Sequence, residues 1–303
     1  MNDVILQNIR NMIPDDHILE NEDMDVHTSF RVGGPARLML TVDDNEQLKK
    51  VYTYLVKTGN EFIVLGNGTN LLVSDKGYKG TVIKLGGSFA DIKVDGDRIY
   101  AGAAALLAHV AREAAANSLS GMEFASGIPG SIGGAMVMNA GAYEGDMSMI
   151  TETVQVMTPE GEELTLENAT MEFGYRTSII RKVGYIVTGV TLKLTPGSKE
   201  EIIGKMNELA AKRRSTQPVE AASAGSTFKR PEGYYAGKLI MDAGLRGFTI
   251  GGAAVSEKHC GFVINKGYAS AADVYDVICQ VEERVRDRFG VKLEREVILL
   301  GDF

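Results

Sequence analysis

Residues 126–141 read SGIPGSIGGAMVMNAG, and five of the sixteen are glycine. Each glycine adds backbone freedom that folding must remove, so ordinary helices and strands do not collect them at this density. What glycine offers is bare backbone, whose N–H groups can converge on an anion with no Cβ in the way. A nucleotide pyrophosphate is the usual guest. A second loop of this kind, GNGTN at 66–70, follows the apolar run FIVL. A single loop reads equally well as a tight turn; two of them, about 60 residues apart, favour nucleotide binding.

Neither loop fits the two commonest phosphate-binding patterns. Gly66-Asn67-Gly68-Thr69-Asn70-Leu71 has the first two glycines of the dinucleotide fingerprint and lacks the third. No G-x-x-x-x-G-K-[ST] occurs anywhere in the chain. Phosphates held by these loops are therefore held outside the Rossmann and P-loop folds.

The flanking segments predict an α/β, or α+β, protein. Residues 2–13 carry Val4, Ile5, Ile9 and Ile13 at helical spacing, and 36–43 reads as a strand. Leu48, Val51, Tyr52, Leu55 and Val56 predict a helix stopped by Gly59, followed by strands at 62–66 and 81–85. Residues 91–102 predict a hairpin turning at Asp95-Gly96, and 103–117 an Ala-rich helix. A second hairpin at 154–166 turns at Pro159-Glu160-Gly161, and 185–194 is a long strand. Pro196-Gly197 breaks that strand, and Ser198 with Glu201 has capping-box spacing. The last third is mixed, with a helix opened by Ser270 and ended by Gly290, and a closing strand in LEREVILLGDF. The expected division is 1–86, 87–197 and 198–303.

Composition excludes several classes. The chain has 303 residues, 44% hydrophobic and 24% charged, enough for two or three globular domains. A net charge of -8 without long runs of either sign argues against nucleic acid as the main partner. Cys260 and Cys279 lack Cys-x-x-Cys spacing, and His17, His27, His109 and His259 form no His-x-x-x-His pair, so no metal site is expected. No stretch approaches a membrane span, and MNDVILQNIRNMIPDD does not pattern as a signal peptide. The expectation is a cytoplasmic monomer acting on small molecules, away from membranes.

Three short stretches set a reactive side chain in a special place. FGYRTS (173–178) puts Arg176 among aromatics, AGSTFKRP (224–231) puts Ser226 after a glycine, and LEREV (293–297) puts Glu296 before an apolar strand. Each also has an ordinary reading: Arg176 as an ion-pair residue, Ser226 as a cap or turn serine, Glu296 as a solvated flank with Glu294 formally as good. No G-x-S-x-G elbow surrounds Ser226, which speaks against hydrolase chemistry. Lys212, Arg213 and Arg214 sit where cations complement a helix C-terminus. Residue spacing alone reaches a nucleotide-binding α/β protein, with enzyme activity as the favoured reading.

The set as a whole, in this order, resembles the UDP-N-acetylenolpyruvoylglucosamine reductase family of peptidoglycan precursor synthesis. The matching pieces are TSFRVGGPA (28–36), VLGNGTNLLVSD (64–75), GMEFASGIPGSIGGAMVMNAGAYEG (121–145), FGYRTS, AGSTFKRP, AGKLIMDAGLRG (236–247), GFVINKG (261–267) and LEREVILLG. They run from residue 28 to residue 301. The resemblance implies two FAD-binding lobes of the vanillyl-alcohol-oxidase type, at 1–86 and 87–197, and a C-terminal mixed α/β substrate domain at 198–303. It implies non-covalent FAD, since neither loop holds a histidine, contacted by Gly66, Asn67, Gly68, Thr69, Asn70, Gly127, Gly130, Ser131, Ile132, Gly133 and Gly134. NADPH is the implied co-substrate.

The implied reaction turns an enolpyruvyl ether into a lactyl ether, giving UDP-N-acetylmuramate. Hydride passes from flavin N5 to C3 of UDP-N-acetylglucosamine enolpyruvate, and Ser226 gives the proton to C2. Arg176 and Glu296 stabilise the enolate, the glutamate through a raised pKa. Only about 50 residues separate Arg176 from Ser226, so the chain resembles the shorter form of the family, without an inserted tyrosine loop. Arg214, Lys229 and Arg230 are the candidates for diphosphate contacts; the longer form often has Asn where Arg230 stands.

Overall fold

The computed structural model describes residues 3–303; the side chains of Asp3 and Val4, and with them Val4's place on the first helix, lie outside the description. The chain forms two compact units. The first comprises residues 1–20, 38–67 and 80–211; the second comprises 21–37, 68–79 and 212–303.

The first unit holds two apolar cores. One lies under helix α1 (Asp3–Arg10) and helix α2 (Asn45–Lys57), with Leu38, Leu40, Val42 and Ile83 supplied by strands. Asp44 caps α2 by accepting from the Gln47 amide, and Leu48, Val51, Tyr52 and Leu55 are buried as their spacing predicts. Val56, counted on the same face, is 39% exposed, because it stands at the edge of the stripe, about 100° round the helix from fully buried Leu55. The sheet here runs Ile18–Asp23, Pro35–Val42, Tyr78–Leu85, Phe62–Leu65. Phe62–Leu65 pairs in parallel with Thr81–Lys84, so its C-terminal end delivers the chain to Gly66.

The second core of this unit lies against a five-stranded antiparallel sheet. Its order is Glu163–Glu167, Thr151–Met157, Ile186–Lys193, Arg98–Gly102, Ile92–Asp95. Both predicted hairpins are present in it. Helix α3 spans Leu107–Ala116, four residues short of its predicted start. Ala103 to Leu106 are diverted because their backbone is bonded to the glycine-rich stretch. The Gly133 amide donates to Ala103 O (2.8 Å), the Ile132 amide to Ala105 O (2.8 Å), and the Leu107 amide to Gly130 O (3.0 Å). Out of that stretch grows α4 (Ile132–Met138), capped by Ser131 and ended by Asn139 in the left-handed conformation. Helix α5 (Ile180–Val183) follows, and α6 (Lys199–Thr216) carries the chain out of this unit.

The second unit packs α7 (Ala236–Asp242) and α8 (Ala271–Phe289) with a small sheet of Thr249–Ile250, Ala253–Val255 and Val263–Asn265. Ser270 and Asp273 form a reciprocal capping box at α8, and Gly290 closes it at φ +68°. Asp75 strengthens the same end, its carboxylate accepting from the Ala271 and Ala272 amides, each at 2.8 Å. The closing strand is shorter than its apolar pattern suggests. Only Ile298–Leu300 is extended and paired, in parallel with Leu71–Val73.

Candidate functional site

A cleft of about 230 Å³, open to solvent, lies within the first unit. Its walls come from the end of the first parallel strand (Leu65, Gly66, Asn67), from Ala103 and Ala104, from Ser131, Gly133 and Gly134, and from Tyr185 to Val187. Five of the predicted cofactor contacts therefore meet here. Ile132 is fully buried behind the surface, and Gly127 and Gly130 are not among the lining residues. Gly68, Thr69 and Asn70 belong to the second unit.

The glycines act in two ways. At Gly66 a Cβ would stand 2.6 Å from Ser131 Oγ, and at Gly133 a Cβ would stand 2.9 Å from the Ala103 Cβ. These two permit strand and loop to close up. At Gly134 a Cβ would meet nothing nearer than Ser131 Oγ at 3.6 Å, so this residue leaves space in the wall instead. The amides of Ile132 and Gly133 are already bonded to carbonyls, whereas those of Gly66 and Asn67 donate to no backbone carbonyl among the described residues. Amides without a backbone acceptor thus remain at Gly66 and Asn67, and across the cleft Gly133 and Gly134 supply wall without side chains beside the Ser131 hydroxyl. A mostly apolar lining suits a flat ring system, and the amides of Gly66 and Asn67 suit a charged tail, the two parts that FAD combines. The residues present fit that group.

Arg176 occupies the tip of a two-residue turn between Gly174 and Thr177, which exchange backbone bonds of 3.0 and 3.3 Å. Its φ is +57°, unusual for a residue with a Cβ. Its Nη2 donates to Gly141 O at 3.3 Å, and its guanidinium lies 5.1 Å from the centre of the Tyr175 ring. Backbone held in this region clusters at functional sites, and Glu172, four residues earlier, also has a positive φ of +46°.

In the second unit, residues 227–229 run antiparallel to 294–296. Phe228 bridges Arg295, the Glu296 amide donates to Thr227 O (2.9 Å), and the Lys229 amide donates to Glu294 O (2.8 Å). Ser226 and Glu296 are thereby carried on adjoining segments. Ser226 is exposed and Glu296 half-buried. Asn70, from the other predicted loop, donates to the Glu296 carbonyl at 3.1 Å. Lys229 Nζ is paired with the Glu294 carboxylate. Arg230 stacks over Tyr235 with its guanidinium 4.0 Å from the ring centre, and its Nε donates to Tyr234 O. Arg214 is exposed in the last turn of α6.

Sequence reading missed the walls at Ala103, Ala104, Leu106, Val137 and Tyr185–Val187. The run of small residues at 103–105 was the available signal, since close backbone approach requires small side chains; it read instead as helix.

Two family profiles match the chain. Residues 217–300 match the UDP-N-acetylenolpyruvoylglucosamine reductase C-terminal domain, and residues 36–167 match an FAD binding domain. A UDP-N-acetylenolpyruvoylglucosamine reductase of Agathobacter rectalis is 49% identical over 315 aligned positions, covering 100% of both chains. The chain belongs to the UDP-N-acetylenolpyruvoylglucosamine reductase family. Another member, from Clostridioides difficile, is 47% identical over 99% of each chain. The crystal structure of the reductase from Thermus caldophilus superposes with a TM-score of 0.81 at 38% identity, covering 94% of this chain and 98% of that one. As a member of this family the chain is an oxidoreductase with FAD as its cofactor, and it has the FAD-binding fold expected of it.

Proposed function

We propose that the chain reduces UDP-N-acetylglucosamine enolpyruvate to UDP-N-acetylmuramate at the expense of NADPH, in peptidoglycan precursor synthesis. The observation that carries this reading is the end-to-end match to a named reductase at 49% identity. Residues 1–86 and 87–197 are assigned to FAD binding and 198–303 to substrate binding, in a cytoplasmic monomer.

Gly66, Asn67, Ser131, Gly133 and Gly134 hold FAD non-covalently along the cleft. Gly68, Thr69, Asn70, Gly127, Gly130 and Ile132 complete the two loops. Bound FAD supplies a two-electron carrier between NADPH and C3 of the enolpyruvyl group. Ser226 donates the proton that C2 needs, so that hydride and proton together saturate the double bond. A serine hydroxyl is a weak acid and serves here through closeness to a strongly basic carbon. Arg176 offers a charged fork to the substrate carboxylate, where negative charge grows as the bond is reduced. Glu296 shares that task. Lys229, Arg230 and Arg214 meet the diphosphate, for which Lys229 exchanges its Glu294 partner for phosphate oxygens.

The test is a visible absorption spectrum of the purified protein under anaerobic conditions. NADPH should bleach the flavin bands, and UDP-N-acetylglucosamine enolpyruvate should restore them. Bleaching that the sugar nucleotide does not reverse, but oxygen does, would replace the reductase reading with an oxidase.

A further inference from the structure

Arg176 sits at the tip of a hairpin in a backbone conformation that its own side chain does not favour, so something must hold it there. The hold comes from the end of α4. Asn139, only 4% exposed, donates from Nδ2 to the Gly174 carbonyl at 3.2 Å, and its Oδ1 accepts from the Ser148 amide at 2.9 Å. The Gly174 carbonyl also accepts the Thr177 amide that closes the turn, so both bonds meet on one oxygen. On the other side of the tip, fully buried Ser178 donates to Val137 O at 3.0 Å. The Gly141 carbonyl then takes the Arg176 Nη2 itself. The turn is tied to 137–141 before, at and after the arginine.

Among these groups only Asn139 uses a side chain that no other residue type could supply. At φ +41° and ψ +60° it occupies the left-handed region, open to Gly, Asn and Asp. Gly lacks both bonds, and Asp keeps the acceptor for Ser148 but puts a second oxygen against the Gly174 carbonyl. We propose that Asn139 is a positioning residue for Arg176, setting the fork's place through the Gly174 carbonyl without touching substrate. This rests on the role proposed above for Arg176.

The experiment uses the FAD-loaded enzyme with Asn139→Asp and Asn139→Gly, each alone and combined with Arg176→Ala. Both changes keep the backbone conformation accessible, and they share the loss of the Gly174 tie. Two single-turnover rates are followed by flavin absorption: bleaching by NADPH, and recovery on adding the enolpyruvyl substrate. The expected result is recovery slowed by about tenfold or more, as misplacement of a fixed charge costs, with bleaching changed less than about twofold. In the Arg176→Ala background the Asn139 changes should have almost no further effect on recovery, because the residue they act through is gone. Equal slowing of both rates, an undiminished effect in the Arg176→Ala background, or unchanged recovery would each overturn the inference. If Arg176→Ala alone leaves recovery at the wild-type rate, the role of Arg176 is wrong and the inference falls with it; that single variant separates the two failures.

Discussion

At the scale of residues, what distinguishes one position from its chemical twin is what surrounds it. Gly59 and Gly68 both have positive φ, +64° and +59°. Around Gly59 a Cβ would meet nothing within 4 Å, whereas at Gly68 it would lie 2.0 Å from the His27 carbonyl oxygen. Gly59→Ala should therefore cost only the left-handed penalty, about 1–2 kcal/mol. Gly68→Ala should cost clearly more, because backbone must move to admit the methyl. Urea midpoints of the two variants check the ordering, and equal midpoints would refute it. Ser226→Ala is a chemical counterpart. It should retain flavin and its bleaching by NADPH while slowing turnover by about 10²–10⁴-fold, the usual worth of a positioned proton donor. Unchanged turnover would remove Ser226 from the mechanism.

At the scale of elements, α8 is the best-specified piece of the chain. Its capping box, apolar stripe and C-terminal glycine are all local, and the helix runs from the residue after Ser270 to the residue before Gly290. Bonds from the Gly252 and Ser270 amides hold the Asp273 carboxyl below its ordinary range. A carboxyl lowered on folding stabilises the native state above its unfolded pKa near 4, and that contribution disappears as pH falls through the native value. Asp273→Asn should destabilise the protein at neutral pH, and the gap to wild type should narrow below about pH 4. Denaturation midpoints between pH 3 and 7 measure this; a gap that stays constant with pH would assign the cost to packing. The segment 103–106 teaches the opposite lesson. Its alanines favour helix, yet hydrogen bonds to the 130–133 backbone take it out of α3.

At the scale of the whole molecule, the cleft links cofactor to stability. A ligand that binds only the folded protein stabilises it by about 2.7 kcal/mol at a hundred times its Kd. Enzyme stripped of FAD should melt at a lower temperature, and added FAD should raise the midpoint progressively. Gly134→Val, which puts a branched side chain where the wall has open space, should weaken that FAD-dependent rise while leaving the melting temperature of the stripped protein nearly unchanged. A rise as large as in wild type would show that Gly134 does not face the cofactor. Titration by differential scanning calorimetry separates the two outcomes.

How much of this could be read beforehand follows from how far each signal reaches along the chain. Periodicity, capping pairs and turn dipeptides involve residues a few positions apart, and the helix at 45–57, both hairpins and α8 were legible from them. The two glycine loops were legible as bare backbone, and the motif set identified Arg176, Ser226 and Glu296 as candidates. The sequence by itself thus determined the elements, the family and the chemical types at the candidate site. Tertiary structure alone decided which loop amides remain to meet an anion, where α3 begins, how short the last strand is, and that Asn139 holds the Arg176 turn. Each of these depends on a carbonyl or amide of a segment that is distant or differently folded, and backbone hydrogen-bonding groups are the same in every residue but proline, so no side-chain pattern records which of them will be paired.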